Sequence, residues 1–323
     1  MKKFIIISAF IAGLNVFSSC DNEKTTQPTA SFDLDNTLLE VNQSMTFRFT
    51  GNADNVVVFP GDEDHDYNLL SDGNSGLVVN KGLFTYSYST PGIYKVVCVA
   101  TNHYKEGTMI LSDTCSRYIK VIDDCTTIDK LSTAALYDEI FAEKLNDKDW
   151  LIAMPRKIKY KTSTPTVALN QTLKFYIPSL TAKVYVDNEE YVSNKKYDLS
   201  KKHALQVVSN EGTLRDYDLY TLNYGEFKSF SINGATAPIE RTEYDYSYYE
   251  IKLVLDSDAD LKTLSPEFTL YGDNEKVFIG KEEQKSGDKV DFSNPVTYRF
   301  IVSSPDNPDV KLESVCIVTV TNQ

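Results

Sequence analysis

Residues 182–209 align without a gap on residues 275–302, at an offset of 93 positions. Eight of these 28 positions are identical: Lys183-Val184 with Lys276-Val277, Glu189-Glu190 with Glu282-Glu283, and Ser193, Lys196, Asp198 and Ser200 with Ser286, Lys289, Asp291 and Ser293. Apolar positions match in kind as well, Tyr185 with Phe278, Val186 with Ile279, Leu199 with Phe292 and Val207 with Phe300. A chain that repeats itself over such a stretch carries two copies of one supersecondary unit. The alternation shared by the copies is that of strands, whose successive side chains point to opposite faces. The copies are placed at residues 155–223 and 224–323.

The upstream segment has the same texture. Between Ser31 and Val121, short apolar runs are separated by turn residues: Ser44 to Thr50, Asn55 to Phe59, Leu77 to Val79, Leu83 to Tyr88, Ile93 to Ala100, Met109 to Leu111 and Arg117 to Val121. Seven short strands in about ninety residues predict a β-sandwich over residues 31–123. The 21 Tyr and 16 Phe, beside one Trp and four Met, favour strands over helices. The expected fold is all-β, tandem sandwich modules with one exception. From Ser132 to Asn146, Leu136, Ile140, Phe141 and Leu145 recur at helical spacing behind a capping serine, which predicts a short helical connector over residues 124–154.

Two segments carry family likenesses. The run from Phe84 through Pro91-Gly92, Tyr94, Val96, Cys98 and Asn102 resembles the signature of PKD domains, with Val58 to Glu63 a loose counterpart of that family's second hallmark. Pro91-Gly92 makes a tight turn, after which Tyr94, Val96 and Cys98 alternate onto one face, with Val97 and Val99 on the other. In the second copy, Leu264-Ser265-Pro266-Glu267-Phe268 followed by Asp291-Phe292-Ser293-Asn294-Pro295-Val296-Thr297-Tyr298 resembles an Ig-like module of Bacteroidetes surface lipoproteins. The first copy has Lys202-His203 where the second has Pro295-Val296. The likeness implies a role in a polysaccharide-utilisation system, with a polysaccharide or oligosaccharide as ligand and an outer-membrane uptake protein as partner.

The N-terminus reads as an export signal. Lys2-Lys3 precede an apolar run from Phe4 to Phe17, and Ser18-Ser19 lie before Cys20. That run is too short to span a hydrocarbon core as a helix, which takes about 20 residues. Cys20 after small residues resembles the bacterial lipobox, which implies removal of residues 1–19 and lipid attachment to Cys20; an ordinary cleavage site with an incidental cysteine is the alternative. Residues 20–30 are polar and form a tether. Acidic residues just behind the acylated cysteine resemble the surface-export signal of Bacteroidetes lipoproteins, implying an outer-membrane anchor with the modules facing out; inner-membrane retention, which Asp in the second position signals in some other Gram-negative bacteria, is the alternative.

The formal net charge is −13, and −15 once Lys2 and Lys3 leave with the signal. Nucleic acid is therefore not an expected partner, since it requires clustered Lys and Arg. The basic run Arg156 to Lys161 alternates as a solvated strand face does. His65, His103 and His203 fall in three separate turn-like segments, and no nucleophile-base, HExxH or phosphate-loop pattern occurs. A non-catalytic chain without a cofactor is expected.

Three kinds of candidate site remain. Asp62, Asp64 and Asp66, around His65, offer hard oxygens to a cation or form a solvated acidic loop. Of the cysteines after Cys20, Cys98 and Cys115 lie in successive runs that would form one hairpin, so they form either a disulfide or two of four buried thiols. For a glycan, the candidates are Trp150 and the cluster Tyr244, Tyr246, Tyr248 and Tyr249, whose rings can stack on sugars or, equally, pack between strands. A glycan-binding accessory is the expected function; an adhesin or spacer that meets proteins through loops or strand edges is the alternative.

Overall fold

The computed structural model describes residues 26–68, 76–104, 107–136, 138–243 and 245–323. Cys20 and the rest of the export signal lie outside these residues, as does Tyr244. The chain divides into two compact units, residues 1–122 and 123–323. Both are all-β.

Unit 1 is a two-layer sandwich. One sheet orders the strands Phe32–Leu34, Ser44–Phe49 and Leu83–Ser87; the other orders Leu38–Glu40, Met109–Ile122, Gly92–Tyr104, Asn55–Phe59 and Leu77–Val78. Phe32, Met45 and Phe47 from the first sheet meet Val58, Val96, Cys98, Ala100 and Ile119 from the second. The Pro91-Gly92 turn launches the longest hairpin, and Tyr94 stacks on buried Tyr88 with ring centroids 4.1 Å apart. Asn102, itself buried, accepts from the Asp54 amide at 2.8 Å and donates to the Thr26 carbonyl at 2.8 Å, tying Thr26 to the middle of the unit.

Unit 2 holds the repeat, and the helical expectation fails there. Residues 130–154 form the strands Lys130–Ala135, Asp138–Phe141, Glu143–Lys144 and Asp149–Met154. Lys130–Ala135 pairs with Asn170–Tyr176, a partner about forty residues away that local spacing does not reveal. Leu136 sits at a turn with φ 59°, and Leu136, Phe141 and Leu145 are exposed. Ser132 caps no helix; its hydroxyl donates to Glu139 at 2.7 Å.

These four strands complete the first copy. Its long sheet orders Glu143–Lys144, Asp149–Met154, Leu214–Asn223, His203–Val208, Lys183–Val186 and Glu189–Glu190. The second copy's long sheet orders Glu240–Arg241, Tyr248–Leu255, Lys311–Asn322, Val296–Ser303, Glu275–Ile279 and Glu282–Glu283. Position by position the two sheets have the same order and the same single parallel pair, Asp149–Met154 with Leu214–Asn223 and Tyr248–Leu255 with Lys311–Asn322. Shorter sheets complete both sandwiches, Asp138–Phe141, Lys130–Ala135, Asn170–Tyr176 and Lys196–Asp198 in one, Ala235–Thr236, Ser229–Ile232 and Glu267–Thr269 in the other. The repeat thus extends upstream to the start of unit 2, and residues 124–154 belong to a sandwich instead of joining two.

The copies meet through a small apolar patch. Leu151, Tyr220 and Leu222, on the outer face of the first copy's long sheet, pack against Val302, Val310 and Leu312 of the second. Beside it, Arg156 is ion-paired with buried Glu275 and lies 4.1 Å from the Tyr271 ring centroid. Burial pushes the Glu275 carboxyl above its usual range, and the Arg156 guanidinium works against that rise.

Candidate functional site

Residues 157–166 form a short hairpin of the first copy, closed by the bridges Lys157↔Thr166 and Tyr160↔Ser163. Its alternation buries Ile158 and leaves Lys157, Lys159 and Lys161 exposed. Across from it lies the outer edge of the second copy, where Glu240–Arg241 pairs with Tyr248–Leu255. Between them is an open cleft of about 540 Å³, with Lys159, Lys161 and Ser163 on one wall and Glu240, Tyr248 and Glu250 on the other.

The second wall is built on one sheet face. Tyr248, Glu250 and Lys252 stand two residues apart and share a side of the strand. Tyr248 donates its hydroxyl hydrogen bond to Glu250 Oε1 at 2.6 Å. Glu240 and Glu250 stand opposite each other across the strand pair, like charges that Lys252 reconciles with its Nζ 2.7 Å from each. The Glu250 hydrogen bond, then burial, pushes the Tyr248 phenol up to about 12. Lys252, then Tyr248, hold Glu250 below the usual carboxylate range. Arg241 faces the other way and is ion-paired with buried Glu226. The site offers one ring with a polar tip, threonine and serine hydroxyls, and a bound-up set of carboxylates facing exposed ammonium groups.

The sequence candidates separate sharply against this geometry. Tyr248 lines the cleft. Tyr246 is half-buried against the first copy's core and bonds Asp138 there, so it pins the copies together. Tyr249 and Trp150 are each 3% exposed and cannot stack on a ligand. Trp150 pairs with Leu219 as Ile251 of the second copy pairs with Val318, so the indole occupies a core position of the repeat. The sequence marks Lys159 and Lys161 only as part of a solvated basic strand face, and it does not single out Glu240 or Glu250. The Tyr248-x-Glu250-x-Lys252 alternation was visible, but its facing hairpin lies some ninety residues earlier.

The other two candidates resolve locally. Asp62 accepts from the His65 amide at 3.0 Å, from its ring Nδ1 at 2.9 Å and from Tyr86 Oη. Asp66 caps the Asn68 amide at 2.8 Å. Among the described residues no group of three or more His, Cys, Asp or Glu side chains is placed to hold a metal, so Asp62, Asp64 and Asp66 do not gather around one point. Cys98 and Cys115 stand directly opposite in the Gly92–Tyr104/Met109–Ile122 hairpin, but both thiols are free, and burial pushes Cys98 up to about 12. No helix among the described residues is long and apolar enough to cross a membrane.

Fold and cleft together define an all-β chain of tandem two-sheet sandwiches with a polar groove between repeated copies. No protein-family model matches the chain. No curated protein matches it either. Solved structures that match parts of the chain include a glycoside-hydrolase candidate from Bacteroides thetaiotaomicron, 20% identical over 31% of this chain and 25% of that one, with a TM-score of 0.23. Others are a carbohydrate-binding module of the β-sandwich superfamily, 12% identical over 60% and 84% at a TM-score of 0.25, and immunoglobulin domains 1–5 of Sidekick-1, 12% identical over 93% and 60% at 0.20. The chain spans only a quarter of the first of these structures. None of them assigns a ligand to this chain.

Proposed function

We propose that this protein is a non-catalytic glycan-binding lipoprotein, anchored through Cys20 to the outer membrane with its modules facing out, and that it serves a polysaccharide uptake system. The observation that carries the binding claim is the cleft at Tyr248, a solvent-open groove whose wall combines an aromatic ring with hydroxyl and charged groups. Sugar rings present an apolar face and a rim of hydroxyls, which such a wall complements. The lipobox and Ig-like resemblances of Cys20 and of residues 264–298 supply the anchoring and uptake parts of the proposal.

A polysaccharide array probed with the purified chain tests it. Tyr248→Ala is expected to weaken binding about tenfold or more, because a stacked ring is lost. Trp150→Phe is expected to bind as the parent does. Failure of the chain to bind any polysaccharide, or a Tyr248→Ala variant indistinguishable from the parent, would sink the reading.

The adhesin or spacer reading draws on a different observation. Ile93 and Tyr118, 73% and 64% exposed, are diagonal neighbours on the outer face of unit 1's larger sheet. Loss of cell attachment in Ile93→Ser/Tyr118→Ser, with Tyr248→Ala unaffected, would favour it.

A further inference from the structure

We infer that the cleft at Tyr248 is selective for anionic oligosaccharides, those carrying carboxylate or sulfate groups. This rests on the glycan-binding reading and adds the ligand's charge to it.

The chain is strongly acidic, at −13, and several lysines on its strand faces are paired with carboxylates. Lys183 pairs with Glu190 and Lys276 with Glu283, at equivalent positions of the two copies. On the acidic wall Lys252 is shared by Glu240 and Glu250, which leaves one negative charge there, and Arg241 is balanced by Glu226. Lys159 and Lys161, on the opposite wall, are in no ion pair among the described residues; Lys161 lies 5.3 Å from the Tyr160 ring centroid. Two ammonium groups outside any ion pair therefore share a wall with the hydroxyls of Thr162, Ser163 and Thr164 and face the Tyr248 ring, against one net negative charge, across a groove wide enough for a short oligosaccharide.

The hairpin holds one of them at a backbone cost. Tyr160 and Ser163 pair around a two-residue turn, and Lys161 occupies its first central position at φ 51°, in the left-handed region that such turns usually give to Gly or Asn. A glycine would relieve the strain and lose the charge. Strained positions of this kind gather at ligand sites.

The test compares an oligogalacturonate, a dextran sulfate oligomer and neutral dextran, each titrated into the purified full chain at about 50 and about 500 mM salt. The expected result is a preference of about tenfold or more for at least one anionic ligand over dextran at low salt, shrinking at high salt. Which acid binds tighter identifies its source. Lys159→Gln/Lys161→Gln, with circular dichroism unchanged, is expected to remove that preference. Equal binding of anionic and neutral ligands, or a preference that survives the double substitution, overturns the charge selectivity and leaves the glycan reading intact. Absence of binding by all three ligands, together with an empty polysaccharide array, overturns both.

Discussion

At the scale of single residues, Trp150 shows how a ring can be essential without touching a ligand. It is 3% exposed, and its Nε1 has no hydrogen-bond partner in the protein. Trp150→Ala should therefore cost about 3–5 kcal/mol, from lost transfer energy and a cavity. Trp150→Phe should cost much less, since it also removes an unsatisfied buried donor; denaturant melts of the two variants check the ordering. Gly225 is the second sensitive residue. A Cβ there would come 2.5 Å from Phe300 Cβ and 3.1 Å from Val302 Cγ2, both buried. Gly225→Ala should lower stability by about 1–3 kcal/mol through overpacking, read as a fall in the melting midpoint. Only the tertiary structure shows this, because nothing in the local run Tyr224-Gly225-Glu226 says that two aliphatic groups crowd it.

At the scale of elements, the entry into unit 2 depends on one carboxylate. Buried Asp123 accepts from Ser179 Oγ at 2.8 Å, Leu180 N at 3.0 Å, Thr181 N at 3.2 Å and Thr181 Oγ1 at 2.9 Å. Burial pushes its carboxyl up, but these four donors outweigh that and hold it below the usual range. An acid with a depressed folded pKa contributes stability above its unfolded pKa of about 3.9, and that contribution is lost as pH falls through the folded value. Melting of the parent chain should therefore decline more steeply below about pH 4 than that of Asp123→Asn. The substitution itself should cost about 1–3 kcal/mol at neutral pH. Overlapping acid limbs would remove Asp123 from the account. The same segment shows why the helical expectation for residues 124–154 failed. Strand formation there is decided by the pairing with Asn170–Tyr176, a non-local term that outweighs the coincidental helical spacing of four apolar residues.

At the scale of the whole molecule, the repeat uses one sheet face in two ways. In the first copy the outer face carries Leu151, Tyr220 and Leu222 and is covered by the second copy. In the second copy Lys252 is the register equivalent of Leu151, pairing with Thr319 as Leu151 does with Tyr220, and that face meets solvent with the cleft at its edge. Residues 224–323 expressed alone would expose Val302, Val310 and Leu312, so they should melt lower than the same copy within 123–323, by differential scanning calorimetry. Leu222→Ala in the joined pair should cost about 2–5 kcal/mol.

The amino-acid order alone determined that the chain is all-β, where most strands of unit 1 run, and that a module is duplicated. Each of these is written in local alternation or in self-similarity, which the backbone's period of two converts directly into structure. What the tertiary structure decided was of longer range. It gave residues 124–154 to a sandwich and buried Trp150 and Tyr249 in cores. It also set Lys159 and Lys161 across from Tyr248. The physical reason is common to all of these. Burial and juxtaposition depend on which face of a sheet another element covers, and that is fixed by pairings between residues far apart in the chain.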